Sequence, residues 1–244
     1  MDYLQSLDFL ILLLLGSIII SVALAWISIK IAPKIGLMDI PGSALHKKHQ
    51  LPVPMTGGIV LLDTLLLIIF ITGSWKNNDI LALIISALII GLMGILDDYF
   101  NLKPSIKFIG QLVASMVLIY LGIQVNLFNS PEFFFRTETQ LDHYLNLFIT
   151  LLWLTAITNA FNFIDSSDGL AVGLSGVSSA FFILISLTIN QGTILFICTI
   201  ILGVCIGLYF FNSHPASLFL GDSGAQTLGF LLASIAILYN PKTG

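Results

Sequence analysis

Four amide or carboxylate side chains recur at every third position of NAFNFIDSSDGL, residues 159–170: Asn159, Asn162, Asp165 and Asp168. Steps of three advance about 300° on an α-helix, so each residue drifts about 60° from the one before. An unbroken helix would leave Asn159 and Asp168 on opposite faces, whereas a 3₁₀ turn would align them. Ser166, Ser167 and Gly169 continue a helix poorly. That predicts a helix end near Asp165 and a turn that lets Asn162, Asp165 and Asp168 converge. A carboxylate at mid-membrane costs about 2.5–3.5 kcal/mol on insertion scales, and crowding of partly buried acids raises their pKa values. A divalent cation relieves both penalties, and hard oxygen ligands suit Mg²⁺ or Mn²⁺ shared with substrate phosphates. The bland alternative is a capped, water-facing helix junction.

Three further stretches carry chemistry. In GILDDYFNLKPSIKF, residues 94–108, Asp97 and Asp98 are adjacent and would point about 100° apart on a helix. They suit two different roles better than joint chelation of one ion. Lys103 and Lys107, four apart, could face one groove as phosphate partners. In LFLGDSGAQTLGF, residues 218–230, Asp222 or Ser223 is a candidate N-cap for a following helix. The functional alternative makes Asp222 a metal ligand beside backbone amides open to an anion. In DIPGSALHKKHQLPVPMTGG, residues 39–58, His46, Lys47, Lys48 and His49 could meet phosphate or anionic lipid. Their basic character also fits the ordinary bias of a cytoplasmic loop.

The elements that position these residues follow from composition. Of 244 residues, 57% are hydrophobic and 9% charged, against about 25% charged in an average soluble domain. Mean hydropathy is +1.02. The chain is an integral membrane protein by these measures. A net charge of −4 argues against nucleic acid as a partner. Cys198 and Cys205 lie seven apart inside one apolar run and read as small core residues rather than a disulfide or metal pair. The first apolar run has acids before it and lysines after it, without a basic start or cleavage site, so a retained first transmembrane helix is expected.

Apolar runs near 9–31, 58–74, 79–96, 106–123, 144–160, 171–189, 192–211 and 225–239 approach the roughly 20 residues that cross a bilayer core. The expectation is an all-α, polytopic transmembrane helical bundle of about eight spans, one integral membrane domain over residues 1–244. Lys30, Lys34, Lys47, Lys48, Lys103 and Lys107 fall on one side of alternating spans, and Lys76, Arg136 and Lys242 on the other. The positive-inside bias then places the N-terminus outside and the first group in the cytoplasm. Two spans separate each polar stretch from the next. All four therefore meet the same cytoplasmic face, in loops near 33–57, 96–106, 159–171 and 212–225. Asp63 falls within the second span, where an acid is a functional suspect, but no partner for it is evident. The loop 124–143 reads as an interfacial aromatic belt.

Taken together, DIPGSALHKKHQLPVPMTGG, LDDYFNLKPSIKF, NAFNFIDSSDGLAVG and FLGDSGAQTLGF resemble, in order, the motifs of the polyprenyl-phosphate N-acetylhexosamine-1-phosphate transferases of glycosyltransferase family 4. That family includes initiating enzymes of O-antigen and teichoic-acid synthesis and the peptidoglycan translocase. The resemblance covers about residues 39–230. It implies that a polyprenyl phosphate, undecaprenyl phosphate in a bacterium, attacks the β-phosphorus of a UDP-N-acetylhexosamine in the bilayer of the plasma membrane and releases UMP. It implies Mg²⁺ (or Mn²⁺) as cofactor, with Asp222 as the metal ligand. Asp97 and Asp98 match paired acids tied to lipid-phosphate handling, deprotonation or the metal environment. Asn159, Asn162, Asp165 and Asp168 match the nucleotide-sugar cleft, and Lys47 and Lys107 resemble basic phosphate contacts. Phosphoryl-type transfer, being mostly positioning and charge neutralisation, fits these parts.

Two departures stand out. Ser166 occupies a position where members usually carry Gly, and the family continues with further spans and a His/Arg-bearing loop beyond the position of Gly244. A shortened member is the expectation, an inactive one included. The compact LDDYFNLKPSIKF favours the N-acetylglucosamine-phosphate branch over the peptide-carrying translocase. Oligomeric state is left open, a homodimer included. The competing readings are an intramembrane prenyltransferase, which leaves the GDSG cluster unexplained, and a transporter, which would place acids at mid-depth in broken helices.

Overall fold

The computed structural model describes residues 6–41, 51–128 and 140–239. Eight α-helices account for most of them: α1 (Leu7–Ile35), α2 (Gly57–Thr72), α3 (Asn78–Phe100), α4 (Pro104–Tyr120), α5 (Gln140–Ile164), α6 (Leu170–Ile189), α7 (Gly192–Asn212) and α8 (Gly221–Leu238). The chain is a helical membrane protein. Each expected apolar run became one helix, and six are long and apolar enough to span a bilayer. The exceptions are α2, with 16 residues, and α4, with 17. At 1.5 Å per residue each measures about 25 Å, a few ångströms short of the hydrocarbon thickness.

Local chemistry sets the helix ends. Ser6 caps α1 by accepting from the Phe9 amide, and Gly36 ends it in the left-handed region at φ 75°. Asn77 caps α3 through the Asp79 and Ile80 amides, and Asn101 ends it at φ 49°. Pro104 opens α4, where a missing N–H costs nothing. The only strand pairing among the described residues is an antiparallel one of Met38–Asp39 (β1) with Val53–Pro54 (β2).

Helices α7 and α8 form the interior, with α7 packed against α1 and α6, and α8 against α3, α5 and α2. Lipid is as apolar as a leucine side chain, so helix association in a bilayer rests on close packing and interhelical hydrogen bonds. Gly203 and Gly207 on α7 let Ser17 and Ser21 of α1 approach its backbone. Gly229 on α8 does the same for Phe161 of α5, and the Trp153 indole donates to the Ala233 carbonyl at 3.0 Å. Cys198 and Cys205 are free thiols buried in α7, as small core residues should be.

The alternation of helices brings the described parts of four connections to one end: 36–41 with 51–56, 101–103, 165–169 and 213–220. Hydrogen bonds across this end tie them together. The Tyr99 hydroxyl donates to the Ile35 carbonyl at 2.6 Å. The Gly57 and Gly58 amides donate to Phe219 and Leu220, and the Phe219 amide donates to Pro54. The shared face expected from parity is therefore present among the described residues. Asp63 lies exposed on α2.

The glycine contacts set a test of the packing. A Cβ at Gly203 would sit 2.9 Å from the Leu14 carbonyl oxygen and press on Ser17, whereas one at Gly16 meets nothing within 4 Å. Gly203→Ala should lower stability by about 1–3 kcal/mol, and Gly16→Ala should raise it by up to about 1 kcal/mol. Thermal unfolding in detergent reads both. Equal shifts would contradict the assigned α1–α7 interface.

Candidate active site

The end of α3 places Asp97 and Asp98 on different neighbours. Asp97, 2% exposed, accepts from the Leu102 amide at 2.9 Å and forms an ion pair with Lys107 of α4. Lys107 also donates to Asp222 Oδ2 at 3.0 Å, so a single ammonium joins α3 to α8 through α4. Asp98 faces the other way. Its Oδ1 accepts from the Asp222 amide at 2.7 Å and its Oδ2 from the Ser223 amide at 3.1 Å. The divergence of the two acids follows from their helical spacing.

One expectation needs correction here. A self-cap through Asp222 or Ser223 is one of the two readings the GDSG stretch allows. The residue at the cap position is Leu220, and it makes no side-chain cap bond. The oxygens on the first-turn amides come from Asp98 instead. The Asp222 carboxylate accepts from Lys107.

The turn after α5 forms as the poor helix formers Ser166 and Ser167 require, with Gly169 at φ 74° leading into α6. Asn162 lies against the Asp222 carboxylate. Asp165, half-buried, faces the negative charges of Asp222, Asp98 and Asp168. Burial first, and then these three charges, push its pKa up from 3.8 to about 8. Asp168 turns to the 213–220 loop, taking His214 Nδ1 at 3.1 Å and the Ala216 amide at 3.3 Å on one oxygen. Buried Asn212 ties the turn to that loop, accepting from the Gly169 amide and donating to the Leu218 carbonyl.

Asn159 sits deeper than the acids. Its amide donates to Gln111 Oε1 at 2.7 Å and to the Thr155 carbonyl at 2.7 Å. Gln111 in turn donates to Gln226 Oε1 at 3.1 Å. This amide layer joins α4, α5 and α8 directly beneath the charged layer. Gln111 and Gln226 were missed in sequence, although each lies four residues after a charged member, Lys107 or Asp222, and so on the same helical face. Asn212 and His214 were missed too. Their signal was position alone, between the end of an apolar run and GDSG. Lys47 lies outside the described residues. The structure thus brings Asp97, Asp98, Lys107, Asn162, Asp165 and Asp222 together, with Asp168 at the rim and Asn159 a layer below.

Among the described residues no three acids or histidines converge on one point as a complete metal cage. Mg²⁺ does not need one, since it keeps waters and takes one or two carboxylates plus substrate phosphates. Asp165 and Asp222, close enough for their charges to interact, are the carboxylates that would supply it. Asp165 has acidic neighbours and a raised pKa, and the oxygen-only chemistry suits a hard ion. Asp98 fits less well because both of its oxygens already hold amides.

Comparison with known proteins bears on this geometry. A sequence model described as glycosyl transferase family 4 matches residues 80–240. A Bacillus subtilis (strain 168) protein named "Probable undecaprenyl-phosphate N-acetylglucosaminyl 1-phosphate transferase" is 32% identical over 209 residues, 86% of this chain and 57% of that protein. A phospho-N-acetylmuramoyl-pentapeptide-transferase of Listeria monocytogenes is 34% identical over 217 residues, 82% of this chain and 65% of the relative. A decaprenyl-phosphate N-acetylglucosaminephosphotransferase of Mycobacterium leprae is 29% identical, over 76% of this chain and 50% of the relative. The chain thus spans between half and two thirds of the length of these relatives.

Asp165 yields a pH prediction. A carboxyl whose folded pKa is raised holds its proton in the folded state after the unfolded chain has lost it. Stability from this group is full below pH 3.8, declines as pH rises, and is lost by about pH 8. In metal-free detergent, Asp165→Asn should flatten the fall in melting temperature across that window. Parallel curves for the two proteins would contradict the raised value.

Proposed function

The chain belongs to glycosyl transferase family 4, and we propose that it transfers N-acetylglucosamine 1-phosphate from a UDP-sugar to a polyprenyl phosphate at the cytoplasmic face of a bacterial plasma membrane. Family membership supports a sugar-phosphate transfer at the membrane. The choice of sugar is supported by the Bacillus subtilis and Mycobacterium leprae relatives, whose names specify N-acetylglucosamine. The pentapeptide-transferase relatives mark the runner-up donor. The cytoplasmic assignment is supported by Lys30, Lys34, Lys103 and Lys107 lying towards the site end, against Lys76 at the other.

The observation that carries the reading is the Lys107 bridge between Asp97 and Asp222, with Asn162 and Asp165 alongside. A phosphate oxygen of the lipid forms a bond to the β-phosphorus, the bond from that phosphorus to the bridging oxygen breaks, and UMP carries away the electron pair. Such a reaction depends on positioning and on neutralising oxygen charge. The acids would repel both substrates if nothing offset them. Lys107 offsets part of that charge within the site, and Lys47 is suited to the phosphates from the 39–58 loop. Asp165 and Asp222 would hold Mg²⁺, with Asn162 orienting the Asp222 carboxylate. When bound, the ion would neutralise charge on the diphosphate oxygens. Asp168, fixed by His214 and Ala216, shapes the rim where the nucleotide sugar would enter. The amide layer beneath closes the site on its membrane side.

The starting step of a cell-envelope polysaccharide is the natural place for such a product, a lipid-linked sugar diphosphate. The test is release of UMP from UDP-N-acetylglucosamine by purified protein with undecaprenyl phosphate and Mg²⁺. Wild type should release UMP, and Asp222→Ala should lose at least about a hundredfold, the order of a lost charge-stabilising group. Pyrophosphate in place of UMP would instead favour a prenyl transfer. Undiminished UMP release by Asp222→Ala would remove Asp222 from the mechanism.

A further inference from the structure

The transfer reaction invites the assumption that one of the paired acids, Asp97 or Asp98, removes a proton from the lipid phosphate. Chemistry does not require it. A phosphate monoester carries about −1.5 to −2 charges at pH 7, so its attacking oxygen is already ionised. The geometry around Asp98 points elsewhere.

Both oxygens of Asp98 are engaged by the first amides of α8, Oδ1 by Asp222 and Oδ2 by Ser223. Those amides have no partner within their own helix, since a helix leaves its first four N–H groups unsatisfied. The residue at the local cap position, Leu220, offers no side-chain acceptor. Glycine at two positions makes the approach feasible. Gly94 lies one turn before Asp98 on the same face of α3, and a Cβ there would fall 2.7 Å from the Ser223 amide nitrogen. Gly221 has φ +74°, and a Cβ there would sit 2.8 Å from Asp98 Oδ2. On α2, Gly58 packs against the same first turn of α8. The first turn of α8 is thus pressed onto α3 along a face cleared of side chains, with one carboxylate at its end.

We propose that Asp98 is a positioning residue that caps α8 from across the bundle and fixes Asp222, and that it is not the base of the transfer reaction. The consecutive acids of α3 then grip Asp222 from two sides. Asp98 holds its backbone amide, and Asp97 holds its carboxylate through Lys107. The adjacent pair serves one purpose through two contacts about 100° apart on the helix. The catalytic consequence rests on the sugar-phosphate transfer proposed above. The capping contact does not.

The experiment separates the two. Hydrogen exchange of the Asp222 and Ser223 amides is measured on the full chain in detergent, for wild type, Asp98→Ala and Asp98→Asn. Asparagine keeps one of the two acceptor oxygens that Asp98 offers, whereas alanine keeps none. Exchange at these amides should accelerate about tenfold in Asp98→Ala, with α7 unchanged, and in Asp98→Asn return towards the wild-type rate at one of the two amides. UMP release, measured in parallel, should follow the same order, with Asp98→Asn at least about tenfold above Asp98→Ala. If Asp98→Ala does not fold, Asp98→Asn against wild type still decides, because a cap predicts protection kept at one of the two amides together with measurable turnover. Unchanged protection in Asp98→Ala overturns the cap. Protection kept at an amide in Asp98→Asn with turnover abolished overturns the positioning role and restores a base. If no protein releases UMP, the function proposed above fails while the exchange data still judge the cap.

Discussion

One ammonium group, that of Lys107, stands between two carboxylates from helices that are distant in sequence. Asp97 belongs to α3 and Asp222 to α8, and α4 supplies the cation that lets them lie together. An acid held near the edge of a bilayer is tolerated only if something neutralises it or hydrates it. Five carboxyl groups, Asp97, Asp98, Asp165, Asp168 and Asp222, gather at this end of the bundle. Lys107 satisfies two of them, backbone amides satisfy Asp98, and His214 with Ala216 serves Asp168. Asp165 faces three of the other acids, and burial first and their charges second raise its pKa to about 8. The site is therefore stable as protein yet short of positive charge, which is the state a cation and a diphosphate together would complete.

The scaffold is arranged to hold this imbalance. Interior α8 carries Asp222 at its first turn and Gln226 one turn deeper, so charged and amide layers share one helix face. Close packing at Gly58, Gly94 and Gly229 fixes α8 against α2, α3 and α5 before any side chain acts. In a bilayer, where apolar contact alone favours no particular helix pair, such small-residue seams and interhelical hydrogen bonds determine which faces meet. The amide layer of Gln111, Asn159 and Gln226 joins three helices with neutral groups, which cost less to bury than charges.

Much of this was legible in the sequence, for reasons that differ by residue. Apolar runs gave eight helices because the bilayer imposes length and composition together. Parity then placed Asp97, Asp98, Asp165 and Asp222 at one end, a consequence of alternation alone. The break at Asp165 followed from Ser166, Ser167 and Gly169. What escaped was tertiary. Capping rules read along the chain, so GDSG looked self-sufficient, whereas its acceptor comes from a residue more than a hundred positions earlier. Helical drift already set Asn159 apart from Asp168, but nothing along the chain named Gln111 as its partner. Gln111 and Gln226 look like ordinary polar residues until both helices are seen side by side.

The account stands on a cation deficit shared by α5 and α8, and divalent-ion binding tests that most directly. Mn²⁺ titrated into the full chain in nanodiscs and followed by electron paramagnetic resonance reports bound ion without any need for turnover. One bound ion is predicted for wild type, with binding weakened at least about tenfold by Asp165→Asn and by Asp222→Asn alike. Equal binding by all three proteins, or none by wild type, would contradict it.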